Sequence, residues 1–344
     1  MKFLRGIVLA DQSASTVKIV RFHHTGGPEV LQLDDLPLPV PGEGEVRLRV
    51  KAIGLNRAEV MFRYGQYLWE PVLPAKLGYE ASGIVEAVGP GVDPSWVGKT
   101  ASTVPAFDVS VYGVYGEVAI VPVSAIAAYP EKLSYEEGTS IWMQYLTAYG
   151  ALIHYGHLAK GDYVLITAAS SSVGLAAIQI AKAEGAISIA ATRTSQKKAE
   201  LLALGADYVI ATEEEDLVAR VHEITGGKNA RIVFDPIGGK GLEALAGACA
   251  PGGIIFEYGA LATDPTPFPL FPVLAKQLTI KGYVLFEITR DPAVCEQAKK
   301  YVFDHLATGQ FKPHISRTFE LKDIVAAHRY LESNAQIGKI VVTV

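Results

Sequence analysis

The stretch AASSSVGLAAIQIAKAEGA, Ala168–Ala186, decides how the chain is read. A phosphate site at a helix start needs a preceding strand, small residues that let a ligand reach the backbone, and unpaired N–H groups at the helix N-terminus. YVLIT from Tyr163 supplies the strand, and Ala168, Ala169 and Ser170 to Ser172 are all small. Val173 to Glu184 supplies the helix, with Val173, Ala176, Ala177, Ile180 and Ala181 at helical spacing. Against the pattern G-x-G-x-x-G the aligned residues are Ala169, Ser171 and Gly174, so two glycines are missing. Taken alone, the stretch also fits a plain buried helix with a serine cap.

The surroundings favour the nucleotide turn. After Ser140, strands alternate with helical patterns, the signature of βαβ units and a parallel sheet. YVLIT from Tyr163, AISIAAT from Ala186, DYVI from Asp207, RIVFD from Arg231, GIIFEYG from Gly253 and LTIKGYV from Leu278 are continuous apolar runs, which predicts six strands of a doubly wound sheet. The second strand ends AATRTSQKK. NAD-binding proteins carry an acid there for the ribose hydroxyls, whereas NADP binders carry cations. Thr192 stands at the acid position, and Arg193, Ser195, Lys197 and Lys198 offer cations and a hydroxyl to a 2′-phosphate, with Arg able to grip it by two hydrogen bonds. NADPH is the expected cofactor; an ordinary solvated helix start is the alternative.

The rest of the chain sets the frame. Its 344 residues call for about two domains of ordinary size. The segment to about residue 138 is rich in Gly and Pro, and VRLRVKAIGLN from Val46 alternates as a half-buried strand does, so an all-β unit is expected. Beyond residue 312, a strand, a helix over Lys322–Ser333 and the final GKIVVTV read as a return to that unit. The expected division is a catalytic unit over 1–138 and 312–344, with a cofactor-binding unit over 139–311. A formal charge of −5 with no basic cluster argues against nucleic acid. Only Cys249 and Cys295 are present, which fits a reducing cytoplasm. The apolar run Gly6 to Ala10 is shorter than a signal peptide's core, and no run is long enough to span a membrane.

From about Val17 onward the chain resembles the medium-chain dehydrogenase/reductase superfamily, in its zinc-independent quinone oxidoreductase (zeta-crystallin-like) branch. The residues that carry the resemblance are GGPEVLQL from Gly26, PGEGEVRLRVKAIGLNRAEVMFRYGQY from Pro41, LGYEASGIVEAVGPGV from Leu77, the nucleotide turn, and LATGQFKPHISRTFELKDIVAAHRYLES near the end. The branch often writes its turn A-x-x-G-x-x-G, matched here at Ala168 and Gly174 and broken at Ser171. The resemblance implies a Rossmann unit inserted in a GroES-like, mostly β catalytic unit, with the active site in the cleft between them.

Alcohol dehydrogenases of that superfamily hold a catalytic zinc with Cys, His and Cys; the corresponding residues here are Asn56, Tyr79 and Gln144. Amides and neutral phenols are poor zinc ligands, so no catalytic metal is expected. The resemblance places Asn56, Tyr67 and Tyr79 at the substrate carbonyl as catalytic candidates. It places Asn56 and Thr147 near the nicotinamide, Ser172, Val173 and Gly174 at the pyrophosphate, and Gly259, Ala260 and Phe286 flanking the nicotinamide, with Gln144 and Ser171 as further cofactor-binding candidates. Asp235 ends a strand at the same sheet edge, where it either meets the cofactor or caps a turn. Without a metal, hydride transfer to a quinone or α,β-unsaturated ketone is easier than oxidation of a plain alcohol, because the acceptor is already activated. The alternatives are an alcohol dehydrogenase-like enzyme and a non-catalytic NADPH-binding protein. In this family the strand around Thr279 to Val284 commonly pairs with a second copy, so a homodimer is expected.

Overall fold

The computed structural model describes residues 15–344, so the apolar run Gly6 to Ala10 lies outside the described residues. All six expected strands form one parallel sheet. Their spatial order is Tyr208–Ala211, Ile187–Thr192, Tyr163–Ile166, Ala230–Asp235, Cys249–Glu257 and Thr279–Gly282. Chain order reverses between Tyr163–Ile166 and Ala230–Asp235, which opens a crevice at their C-terminal ends. The runs are uninterrupted because both faces are covered: Val164, Ile166, Ile232 and Phe234 enter one core, while Leu165, Ile189 and Val233 enter another.

A seven-stranded mixed sheet makes the other half. Its long strand Glu45–Gly54 buries Val46, Leu48, Val50 and Ala52 in alternation, as its period of two requires. The last strand, Lys339–Thr343, pairs antiparallel with it, Val341 opposite Gly54 and Val342 opposite Ile53. The last strand is thereby built into the sheet of the first long strand, while Thr16–Phe22, Leu31–Pro37 and Ala75–Lys76 form a separate three-stranded sheet. This half is not all β: Arg57–Arg63 is a helix. Its start is written in the sequence as N-R-A-E, with the Glu59 carboxylate reaching back to the Asn56 N–H. No helix among the described residues is long and apolar enough to cross a membrane.

The turn over residues 168–171 joins the strand Tyr163–Ile166 to the helix Ser172–Ala183. Ser171 is its N-cap, its hydroxyl accepting the Gly174 N–H at 3.0 Å. Gly174 is the one glycine this turn cannot replace: a Cβ there would lie 2.6 Å from both Cα and O of Ala169. Changing Gly174 to Ala is therefore expected to destabilise the fold by about 1–3 kcal/mol through overpacking. Chemical denaturation checks this, and an unshifted midpoint would show that helix and turn separate freely.

Candidate active site

Of the three positions that the resemblance aligns with zinc ligands, Asn56 and Tyr79 join a buried ionic lattice and Gln144 follows Met143 at its edge. Lys339, at the start of the last strand, is fully buried and pairs with Glu80, while its Nζ donates to Asn56 Oδ1 at 2.6 Å. Asn56 Nδ2 in turn donates to Glu80 at 3.1 Å, Glu59 at 3.2 Å and the Gly54 carbonyl at 3.3 Å. Glu80 also accepts the Met143 N–H at 2.9 Å, and Glu59 the Tyr79 N–H at 3.1 Å. Gly54 admits the lysine: a Cβ there would lie 2.8 Å from Lys339 Cε. Complete burial pushes the Glu59 carboxyl up to about 7, against the pull of the Lys339 ammonium and the N–H donors of Asn56 and Tyr79. Every polar atom of the Asn56 amide is engaged within this lattice, so Asn56 holds the frame and has no free donor for a carbonyl. Thr147 is similarly occupied, its hydroxyl donating to the Met143 carbonyl.

Several buried polar atoms around this lattice have no partner, Tyr115 Oη and Thr139 Oγ1 among them. Tyr79 Oη and Gln144 Oε1 are buried and unpaired, a state that costs about 1–3 kcal/mol each unless a ligand completes it. Tyr79 lies within an aromatic cluster drawn from both halves of the molecule. Its ring centroid is 6.5 Å from Tyr67, 5.7 Å from Phe107 and 5.9 Å from Phe286. Trp69 closes the cluster, 5.5 Å from Tyr67 and 5.0 Å from Phe286. The phenols of Tyr67 and Tyr79 are near enough to perturb each other, although Tyr79 Oη makes no well-formed hydrogen bond. Burial pushes Tyr67 up to about 12, partly offset by the Tyr79 hydroxyl. Burial and the Tyr67 phenol push Tyr79 higher still. Both are neutral donors near pH 7.

The sheet crevice carries the other expected residues. Ser171, Ser172, Val173 and Gly174 form the helix start at its centre. A cavity of about 420 Å³ extends along the strand ends, lined by Thr167, Thr212, Asp216, Asp235, Ile237 and Gly241, within the usual size of a small-molecule site, about 300–1,000 Å³. Arg193 is exposed and makes no ion pair among the described residues. Lys197 instead bridges to the end of the chain, with Nζ 2.8 Å from the carbonyls of Asn334 and Gln336 and 3.2 Å from Ser170 Oγ. Ser195 is held by Glu214, which accepts its N–H at 2.9 Å and its hydroxyl at 3.2 Å. Thr192 ends its strand at the crevice edge. Asp235 caps a turn, accepting from Gly238 N at 2.7 Å and Ile237 N at 3.2 Å, and bonds Thr167. Gly259 and Ala260 lie exposed just beyond the strand Cys249–Glu257, while Phe286 sits in the aromatic cluster.

Residues 42–131 match the family described as "Alcohol dehydrogenase GroES-like domain", and residues 172–300 match "Zinc-binding dehydrogenase". The quinone oxidoreductase of Salmonella typhimurium is 34% identical over 327 residues, 93% of this chain and 97% of its own. The chain belongs to the quinone oxidoreductase branch of the medium-chain dehydrogenase/reductase family. Among solved structures, the Escherichia coli quinone oxidoreductase complexed with NADPH is similar with a TM-score of 0.87 and 32% identity, covering 95% of this chain and all of that one (100%). An NAD-dependent alcohol dehydrogenase is as similar, with a TM-score of 0.87 and 33% identity over 95% of this chain and 99% of that one. Overall shape therefore does not separate the two chemistries, and the site residues must.

Those residues do not fit the zinc of this family's alcohol dehydrogenases. An amide, a phenol and a second amide replace the ligands, and the Lys339 ammonium already occupies Asn56 Oδ1. They do fit a phosphorylated dinucleotide: the first-turn N–H groups of Ser172 and Val173 have no partner within the helix, and Arg193 is a free cation at the second strand end. Sequence reasoning missed Glu59, Glu80 and Lys339, as well as Trp69 and Phe107. Glu59 had a local signal in the capping pattern; Lys339 lies 283 residues from Asn56 and had none.

Because folded Glu59 titrates near 7 and the unfolded side chain near 4.5, the unfolded state releases this proton first as pH rises. Stability is expected to fall between about pH 4.5 and 7, and Glu59→Gln is expected to flatten that slope. Denaturant titrations at pH 5 and 7.5 on both proteins measure it; parallel slopes would contradict the assignment.

Proposed function

We propose that this protein reduces quinones or α,β-unsaturated carbonyls with NADPH, without a catalytic metal. NADPH supplies a hydride when bound. The observation that carries the reading is the buried, unpartnered Tyr79 hydroxyl inside an aromatic cluster to which both halves contribute. As hydride reaches the conjugated carbon, negative charge collects on the acceptor's carbonyl oxygen, and a preorganised neutral donor in a dry site stabilises it. Tyr79 suits that task because ionising it would leave a phenolate buried among rings, so it donates a hydrogen bond and keeps its proton. Tyr67, less strongly perturbed, is the better source of the proton that completes reduction. The lattice of Lys339, Glu80, Asn56 and Glu59 fixes Tyr79 through its N–H and through Glu80, the first residue of the following strand, and the aromatic rings orient a planar acceptor.

On the cofactor side, the N–H groups of Ser172 and Val173 would take the pyrophosphate and Arg193 the 2′-phosphate, with the Ser171–Gly174 cap and Lys197 positioning the turn. The cavity beside Asp235 would take the adenosine end. Two thiols, Cys249 and Cys295, both free and buried, suit the cytoplasm. A homodimer is also part of this reading. The edge strand Thr279–Gly282 pairs on one side only, and beside it Phe268, Leu270, Phe271 and Leu274 are exposed, Phe271 by 81%.

NADPH oxidation followed with quinones, enones, aldehydes and alcohol-derived ketones tests the activity. Tyr79→Phe is expected to lower kcat by about 10²-fold with little change in NADPH affinity. Less than a threefold loss in both Tyr79→Phe and Tyr67→Phe would remove the phenols from the chemistry. For assembly, Phe271→Glu is expected to convert a dimer to a monomer in sedimentation, and a monomeric wild-type chain would refute the dimer.

A further inference from the structure

The aromatic cluster is covered by a cation with no partner. Arg290 follows the short helix Phe286–Thr289, and its guanidinium carbon lies over two ring faces, 5.1 Å from the centroid of Phe286 and 5.5 Å from that of Trp69. The side chain is exposed and makes no salt bridge or side-chain hydrogen bond among the described residues. Its nearest carboxylates in sequence are both committed elsewhere. Glu287 pairs with Lys281 at 2.9 Å, and Asp291 caps the helix Pro292–Thr308, accepting from Ala293 N at 3.0 Å and Val294 N at 3.2 Å. Stacking alone would be worth little at an exposed site, about 0.5–1 kcal/mol, and a guanidinium lying on rings keeps its N–H edge free to grip a carboxylate by two hydrogen bonds. The formal net charge of −5 means that the protein as a whole does not draw in anions, so any preference for them must come from a local group such as this one.

We infer that Arg290 is a specificity-determining residue that selects acceptors bearing a carboxylate about one ring removed from the carbonyl or alkene being reduced. The inference rests on the proposed reductase activity for its placement of the acceptor, since the two rings under Arg290 are neighbours of Tyr67 and Tyr79: Trp69 packs on Tyr67, and Phe286 on Tyr79. An acceptor held against these rings, with its oxygen at the tyrosines, brings a substituent on its far side to the guanidinium. An uncharged acceptor gains nothing there.

The test compares 4-carboxybenzalacetone with its methyl ester, the same enone with and without the charge, in the wild-type protein, Arg290→Met and Arg290→Lys. Arg290→Met is expected to raise KM for the carboxylate about tenfold, as loss of a charge-assisted pair at a partly wet rim should, and to leave the ester's KM and both kcat values within twofold. Arg290→Lys should recover part of the loss, since it keeps the charge without the fork. Equal effects on both enones, or none, would overturn the inference. A second readout is independent of turnover: calorimetric titration of the NADPH-saturated protein with 4-acetylbenzoate and with 4-acetylbenzamide, which carry the charge or its neutral counterpart one ring from a carbonyl. 4-Acetylbenzoate is expected to bind tighter by about tenfold, with the preference lost in Arg290→Met and weakened by salt. If 4-acetylbenzoate is preferred while neither enone is reduced, the reductase reading fails and the anion site stands. If both enones are reduced and the charge makes no difference in either assay, the inference about Arg290 fails alone.

Discussion

The buried contact between Lys339 and the pair Glu80 and Asn56 is the constraint on which the rest of the site depends. It binds the last strand to the first long strand, to the start of the helix Arg57–Arg63 and to the start of the strand Glu80–Val88, which Tyr79 immediately precedes. Removing one member of such a pair leaves a buried charge uncompensated, which costs far more than the intact pair contributes. The lattice also answers an electrostatic problem. Glu59 and Glu80 both sit in the core, where the Lys339 ammonium pairs with Glu80 and also draws down the Glu59 carboxyl that burial pushes up.

On the proposed reading, activation of the electrophile falls to neutral donors. A buried phenol whose ionisation is driven far up is a poor acid but a fixed dipole, and a fixed dipole in a dry site stabilises developing charge without reorganising. This suits acceptors that need only modest help, such as quinones and enones, and does not suit an alcohol that must first lose its proton. Similar solved structures include both a quinone oxidoreductase with NADPH and an NAD-dependent alcohol dehydrogenase, so identity at a few positions separates what the backbone shares.

Much of this was legible in the sequence. The six parallel strands announced themselves as uninterrupted apolar runs because both faces of that sheet are covered, and the helix start at Ser171 was marked by small residues and a cap. Within the turn only Gly174 faces a backbone clash, and Ala169 and Ser171 stand where the pattern G-x-G-x-x-G has its first two glycines. What stayed hidden were contacts made at long range. Asn56 looked like a free donor because its partners, Glu80 and Lys339, are brought to it only by strand pairing. Ser195 and Lys197 looked like phosphate ligands of equal standing with Arg193, yet Glu214 and the carbonyls near the end of the chain hold them, leaving Arg193 as the free cation. The helix Arg57–Arg63 was overlooked for a different reason: a seven-residue helix between strands gives too few turns for its periodicity to stand out.

The central claim is that the crevice at Gly174 and Arg193 holds a 2′-phosphorylated dinucleotide beside a cavity that uses side-chain donors in place of zinc. Isothermal titration of the purified chain with NADPH and with NADH tests it most directly. The account predicts one NADPH per chain, bound at least about tenfold more tightly than NADH, a difference of about 1.4 kcal/mol or more. Equal affinities would contradict the role of Arg193, and no binding of either coenzyme would contradict the account as a whole.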